Sequence, residues 1–284
     1  MDLGQLEALA ATIDGGSFEA AAASLHLTPS AVSQRIKALE TSTGRVLVRR
    51  SKPTTVTEAG EVYLRLARQV TALIADAERP QGEHVSIPLA MSADALATWV
   101  LPVLSQVPAG VTLDLRREDQ DHSAELLRSG AVMAAITSDS QAVQGCTVTR
   151  LGTMRYHPVA SPAFAAEWFA AGFTRAALRI APVVVFDRKD DLQDRVLRER
   201  GGGAAPPRHY IPGSAEFAEA ITRGLGWGLL PEQQTADWPE GRIVDLAPGV
   251  HIDVELYWQQ WSLHTPALDT VAELVRQAAD RSLS

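Results

Sequence analysis

A single cysteine, Cys146, stands among 284 residues, so no disulfide can form within the chain, and no second cysteine or histidine stands beside it at metal-ligand spacing. A reduced, partly buried thiol is the expectation. Long apolar runs are also missing: each stretch is broken within about a dozen residues by Asp, Arg, Pro or Gly, short of the roughly 20 needed to span a bilayer. The chain opens Met1-Asp2-Leu3-Gly4-Gln5, with no basic segment ahead of an apolar core, so secretion and membrane association are not expected and a cytoplasmic protein is. Catalytic signatures are absent too. There is no Gly-x-Ser-x-Gly, no Walker loop and no His-Glu-x-x-His, the seven histidines are scattered, and no enzyme, metal or cofactor is expected. Gly201-Gly202-Gly203 sits in an Ala/Pro/Gly-rich stretch and reads as a flexible turn.

What is present describes a folded chain. Hydrophobic residues are 46% and charged residues 21%, ordinary for a globular protein, and the length suits a small domain plus a larger one. Net charge is -8, which by itself argues against nucleic acid, but its distribution reverses the argument. Residues 31–70 hold eight basic side chains against three acidic, whereas residues 81–284 carry 17 basic and 25 acidic. One basic face and a separate acidic domain are implied.

Apolar residues Leu3, Leu6, Leu9, Ala10 and Ile13 mark a first amphipathic helix that ends at Gly15-Gly16. Ser17 caps a second, alanine-rich helix, and Thr28 with Pro29 opens a third, Ser30 to about Thr43, closed by Gly44. Val32, Ile36 and Leu39 face the core, which leaves Ser30, Ser33, Gln34 and Lys37 on the outer face. Ser and Gln suit base edges in a major groove, while Lys37 and Arg35 suit phosphate or guanine. Beyond it two β-prone runs flank a basic turn, the pattern of a wing on which Arg49, Arg50 and Lys52 would follow the phosphate backbone. A solvated helix face is the bland alternative; the basic cluster beside that helix argues against it.

The run Ala20-Ala21-Ala22-x-Ser24-Leu25-His26-Leu27-Thr28-Pro29-Ser30-Ala31-Val32-Ser33-Gln34-Arg35-Ile36-Lys37-Ala38-Leu39-Glu40, followed by Thr57-Glu58-Ala59-Gly60, resembles the N-terminal signature of the LysR-type transcriptional regulators. One departure from the family is Leu47-Val48 before the wing arginine, where Leu-Phe is usual, an apolar exchange. It implies a winged helix-turn-helix over residues 1–58, an all-α element with a wing, in which Thr28, Pro29, Ser30, Ser33, Gln34, Arg35, Lys37, Arg49, Arg50 and Lys52 meet double-stranded DNA. RNA polymerase is the further partner the family implies.

From Thr57 as cap to about Arg79, Val62, Leu66, Val70, Leu73 and Ala77 form an apolar seam on a helix about 30 Å long. Such a helix could pack on its own domain; the resemblance implies instead a linker helix, residues 59–80, that pairs with a second copy through Val62, Leu66, Val70 and Leu73 to make a homodimer or homotetramer. Pro80-Gln81-Gly82 marks the boundary.

Residues 81–284 alternate β and α: strand 84–92, helix Asp94 to Leu104, strand Val111 to Arg117, helix Ser123 to Leu127, strand Val132 to Thr137. The pattern repeats at Val183–Phe186, a helix from Asp190, a strand near His209-Tyr210-Ile211, a helix from Ser214 and Gly226 to Pro231. A mainly parallel sheet in two α/β subdomains is predicted. With Gly224-Leu225-Gly226-x-Gly228-x-Leu230-Pro231, it resembles the family's periplasmic-binding-protein-like effector domain, with subdomain I at about 84–157 and 247–284 and subdomain II at about 158–246.

Ligands of such folds lie between subdomains at strand C-termini. The loops there carry Ser92, Ala93, Asp94, Glu118, Asp119, Asp121, Thr137, Ser138, Asp187 and Ser214. Hydroxyls and helix amides suit a carboxylate and the acids suit a cation, so a cationic α-amino acid uses both. Asp94 and Asp121 could equally be helix N-terminal charges, and Ser214 a cap. Segments Asp94–Pro102, Glu118–Ser123 and Ala181–Asp187 resemble the lysine- and arginine-responsive ArgP/LysG subgroup, which implies lysine, arginine or histidine as effector and control of amino-acid export or metabolism. A soluble amino-acid-binding protein, or a regulator with a non-basic effector, is the alternative; the first leaves the basic helix and wing without a purpose.

Overall fold

The computed structural model describes residues 1–77, 84–118 and 123–284. The boundary tripeptide Pro80-Gln81-Gly82 and the candidate site residues Asp119 and Asp121 therefore lie outside the described residues.

The N-terminal module follows its local signals. Helix α1 (Leu3–Asp14) starts at a capping box in which Asp2 and Gln5 bond each other's backbone N–H. Ser17 caps α2 (Phe18–Ser24), and Thr28 caps α3 (Pro29–Thr43), which stops at Gly44 in a left-handed conformation, φ 67°. Val32, Ile36 and Leu39 are fully buried with Leu6, Leu9 and Ala21. Strands β1 (Val48–Arg49) and β2 (Thr55–Val56) pair antiparallel as the wing. The Glu40 carboxylate accepts from the backbone N–H of Leu47 at 2.8 Å, which joins the end of α3 to the wing. Thr57 accepts from the Gly60 N–H at 3.0 Å and so opens α4 (Glu58–Ala77), 20 residues long.

Helix α4 also reaches the larger domain. Arg65 is buried and packs over Gly130, and Arg68 donates to the Ser129 carbonyl at 2.7 Å while pairing with Asp14.

The larger domain is α/β, but its main sheet is not mainly parallel. Strand β3 (Val85–Met91) leads into a helical segment that is not the single helix expected over 94–104: α5 (Ala93–Ala95), a π-helical turn (Leu96–Val100) and α6 (Leu101–Leu104) follow one another. β3 is flanked in parallel by β4 (Val111–Arg117) and β5 (Ala134–Thr137), with α7 (Ser123–Ser129) between them in sequence. The sheet then turns antiparallel through two strands that were not among the expected elements. β6 (Cys146–Ala160), 15 residues, pairs with β11 (Ile252–Trp261), and β11 pairs with β5. These long strands cross between the two halves of the domain, which short parallel β-α units cannot do; Ile252-Asp253-Val254-Glu255-Leu256 of β11 alternate buried and exposed, a period-two signal that the sequence carries and that no expectation above used.

The far end of β6 enters the second half. There it pairs antiparallel with β9 (Gly228–Pro231) and β10 (Val244–Asp245). Parallel strands β7 (Val183–Val185) and β8 (Arg208–Tyr210) join beside β9 through Trp227, whose carbonyl accepts from the Val184 N–H at 2.8 Å. Helices α8 (Pro162–Trp168), α9 (Arg175–Ile180), α10 (Leu192–Glu199), α11 (Ser214–Thr222) and α12 (Glu232–Thr235) surround this half. Helix α13 (Pro266–Ser282) returns to the first and buries Leu268, Val271 and Val275. No helix among the described residues is long and apolar enough to cross a membrane.

Candidate DNA interface and effector site

The outer face of α3 stands clear of the core. Thr28, Pro29, Ser30, Gln34 and Lys37 are exposed, as are the wing positions Arg49, Arg50 and Lys52, and Ser33 is half-buried. Two arginines have local work as well. Arg35 is half-buried with its guanidinium 3.4 Å from the Gly4 carbonyl, and Arg50 lies 5.1 Å from the centre of the Phe18 ring. The Thr54 N–H donates to Gly16 at 2.8 Å, so the wing is anchored to the α1–α2 turn.

On α4, Val62 and Leu73 are 50% and 42% exposed, and Leu66 and Val70 are half-buried. An apolar seam left this open is what a helix awaiting a partner presents.

A cavity of about 190 Å³ opens where the two halves of the larger domain meet. Its first wall is Ser92, Ala93 and Asp94 after β3 and Ser138 after β5. Tyr156 and Val254, from the crossing strands β6 and β11, form its floor. The opposite wall is one stretch after β7: Phe186, Lys189, Asp190, Asp191, Leu192 and Arg195.

Two carboxylates dominate the electrostatics. Asp94 accepts from the Ser214 hydroxyl at 2.8 Å and from the Tyr156 hydroxyl at 3.1 Å, so it ties α5 to α11 across the cleft. Burial raises its pKa above the ordinary 3.8, against the pull of those two hydrogen bonds. Asp190 accepts backbone N–H groups from Phe186 at 3.2 Å and Leu192 at 3.0 Å, and its pKa is pushed up to about 6, chiefly by burial, with the charges of Asp94 and Asp187 adding to the rise. Acids that repel one another in a low-dielectric cavity favour a cation between them.

The expected site residues divide accordingly. Ser92, Ala93, Asp94 and Ser138 line the cavity and Ser214 contacts Asp94. The Ser92 hydroxyl caps α5 by accepting from Ala95 at 3.2 Å. Thr137 is fully buried and accepts the Asp139 N–H at 3.1 Å, Asp187 accepts from Lys189 and Asp190 N–H, and the Glu118 N–H closes onto Met91; none of these three lines the cavity. Tyr156, Asp190 and Arg195 were not foreseen. The acidic pair Asp190-Asp191 just after a predicted strand was the available signal, and for Tyr156 it was the alternation of Met154, Tyr156 and Pro158 with Arg155 and His157 along β6.

Comparison with known proteins shows the family. Residues 3–61 match the model of the bacterial regulatory helix-turn-helix proteins of the lysR family, and residues 80–280 match the LysR substrate binding domain. The chain belongs to the LysR family. This regulator is 45% identical to the HTH-type transcriptional regulator LysG of Mycobacterium tuberculosis, over 98% of its own length and 94% of the relative's. The crystal structure of ArgP from Mycobacterium tuberculosis superposes with a TM-score of 0.93 at 44% identity, covering 100% of this chain and 99% of that one. Full-length LysG from Corynebacterium glutamicum with bound effector Arg superposes with a TM-score of 0.86 at 40% identity, again over 100% and 99%. The LysR-family protein described here is a DNA-binding transcriptional regulator and not an enzyme.

Proposed function

We propose that this LysR-family regulator reads an operator through α3 and the wing and responds to a basic amino acid, lysine, arginine or histidine, held in the cavity between the halves of its larger domain. The observation that carries the ligand class is the pair of raised-pKa carboxylates, Asp94 and Asp190, on opposite walls of one small cavity. They suit an ammonium or guanidinium group, and the arginine bound by the Corynebacterium glutamicum relative has that chemistry.

In this reading the larger domain is a periplasmic-binding-protein-like effector domain over residues 81–284. Its subdomains, about 84–157 with 247–284 and about 158–246, close on the ligand. Asp94 already joins the two halves, since Ser214 on α11 reaches it across the cleft. The linker helix, residues 59–80, pairs with that of a second copy through Val62, Leu66, Val70 and Leu73 in a homodimer or homotetramer. Closure shifts the placement of the paired DNA-binding domains, residues 1–58, and with it DNA bending and contact with RNA polymerase. That shift requires the ligand to bind one arrangement more tightly than the other. The regulator acts in the cytoplasm, where its DNA is, and controls amino-acid export or metabolism.

The test is a footprinting titration on the DNA upstream of the regulator's own gene, with lysine, arginine, histidine or a neutral amino acid added. A salt-sensitive footprint that changes only with a basic amino acid is the expected result. A specific footprint indifferent to all four would remove the ligand class.

A further inference from the structure

The first wall of the cavity rests on two strand ends that are held in different ways. Ser92 to Asp94 run directly into helical structure. Ser138 does not: it opens the irregular loop 138–145 between β5 and β6, which has no helix or strand of its own. The place of a wall residue on such a loop depends in part on how well the loop's backbone N–H and C=O groups are tied down.

One side chain makes three of those ties. Gln259, on β11 and with no exposed surface, donates its amide N–H groups to the carbonyls of Asp139 at 2.8 Å and Gln141 at 2.9 Å. Its amide oxygen accepts from the Val143 N–H at 3.0 Å. Three bonds to residues 139, 141 and 143 clamp alternate positions of an extended path, and they use three of the four places a primary amide offers. Within the loop the Thr137 hydroxyl accepts from the Asp139 N–H, and the Asp139 carboxylate accepts from the Gln141 N–H at 2.8 Å. β11 pairs Gln259 opposite Ala135 of β5, so the clamp is mounted on the strand beside the one that delivers Ser138. An apolar side chain would fill that buried position equally well, and the loop is what calls for an amide.

We propose that Gln259 is a positioning residue of the effector site, which touches no ligand and sets effector affinity by fixing Ser138 at the cavity wall. This rests on the reading of that cavity as the effector site.

The test is a double-mutant cycle on arginine affinity, measured by calorimetry with the full chain. Gln259→Met removes all three bonds at similar volume, and Ser138→Ala removes the hydroxyl that the clamp presents. Each single change is expected to weaken arginine about tenfold, the effect of roughly one polar contact. The double variant is expected to be no weaker than the weaker single, because a released Ser138 has nothing left to lose. Amide exchange at Val143 should quicken in Q259M while DNA binding without effector stays unchanged. If Q259M fails to fold, Asp139→Ala loosens the same loop from its half-buried side and should couple to S138A in the same way. Wild-type affinity in Q259M, or losses that multiply in the double variant, would overturn the role alone. No arginine binding by the unmodified chain would overturn the site reading and this role with it.

Discussion

In the proposed reading, Asp190 couples ligand, protons and stability through one side chain. Its carboxyl is raised from 3.8 to about 6 in the folded state, so between those values the folded chain holds a proton that the unfolded chain has released. Stability from this group falls as pH rises through that window, by up to about 3 kcal/mol for a two-unit shift before relaxation. Asp190→Asn should therefore make the free regulator more stable at pH 7.5, as read by urea unfolding, while weakening a basic amino acid by tenfold or more. A bound cation favours the charged form, so arginine affinity should rise about tenfold per unit as pH climbs toward 6 and level off above. Calorimetry in buffers of different ionisation heat should show a proton released on binding below that point. The same scale separates the DNA contacts. Arg49→Ala and Arg50→Ala should weaken all DNA alike and flatten the salt dependence, whereas Gln34→Ala should relax sequence preference. Equal loss of specificity from both kinds of change would refute that division.

Among the elements, α4 carries three tasks along one helix. Its start is fitted to the wing: a Cβ on Gly60 would lie 2.2 Å from the Leu47 carbonyl oxygen. Gly60→Ala should cost about 2–3 kcal/mol through that overlap, measurable as a lower denaturation midpoint. Its middle docks on the larger domain through Arg65 and Arg68. Its exposed seam is the proposed face for a second copy. Leu73→Glu, at a position 42% exposed, should shift the chain toward monomer in sedimentation at micromolar concentration with little effect on its own fold; an unchanged mass would remove the seam from the assembly. The single thiol belongs to this junction too. Burial pushes Cys146 up to about 11 while Arg65 pulls the other way, so it stays protonated and unreactive at neutral pH.

For the whole molecule, the site exists because two halves built from distant stretches meet across β6 and β11. A ligand that binds only this assembled state stabilises it by mass action, about 2.7 kcal/mol at a concentration a hundredfold above its Kd. Arginine or lysine should raise the melting temperature by several degrees and a neutral amino acid should leave it in place.

The amino-acid sequence by itself determined what depends on near neighbours in the chain: the caps at Ser17, Thr28 and Thr57, the buried stripe Val32-Ile36-Leu39, the outward Ser/Gln/Lys face, the wing, and the strand Val111–Arg117. These are settled over a few residues by capping, steric and periodic preferences. Only the tertiary structure decided that Asp94 meets Ser214 120 positions away, that Asp190 rather than Asp187 faces the cavity, and that Thr137 is buried while Ser138 is not. Those outcomes turn on strand register and on which half packs against which. In a β-strand a step of one residue exchanges the two faces, and local sequence preference does not encode which face the neighbouring domain half will cover.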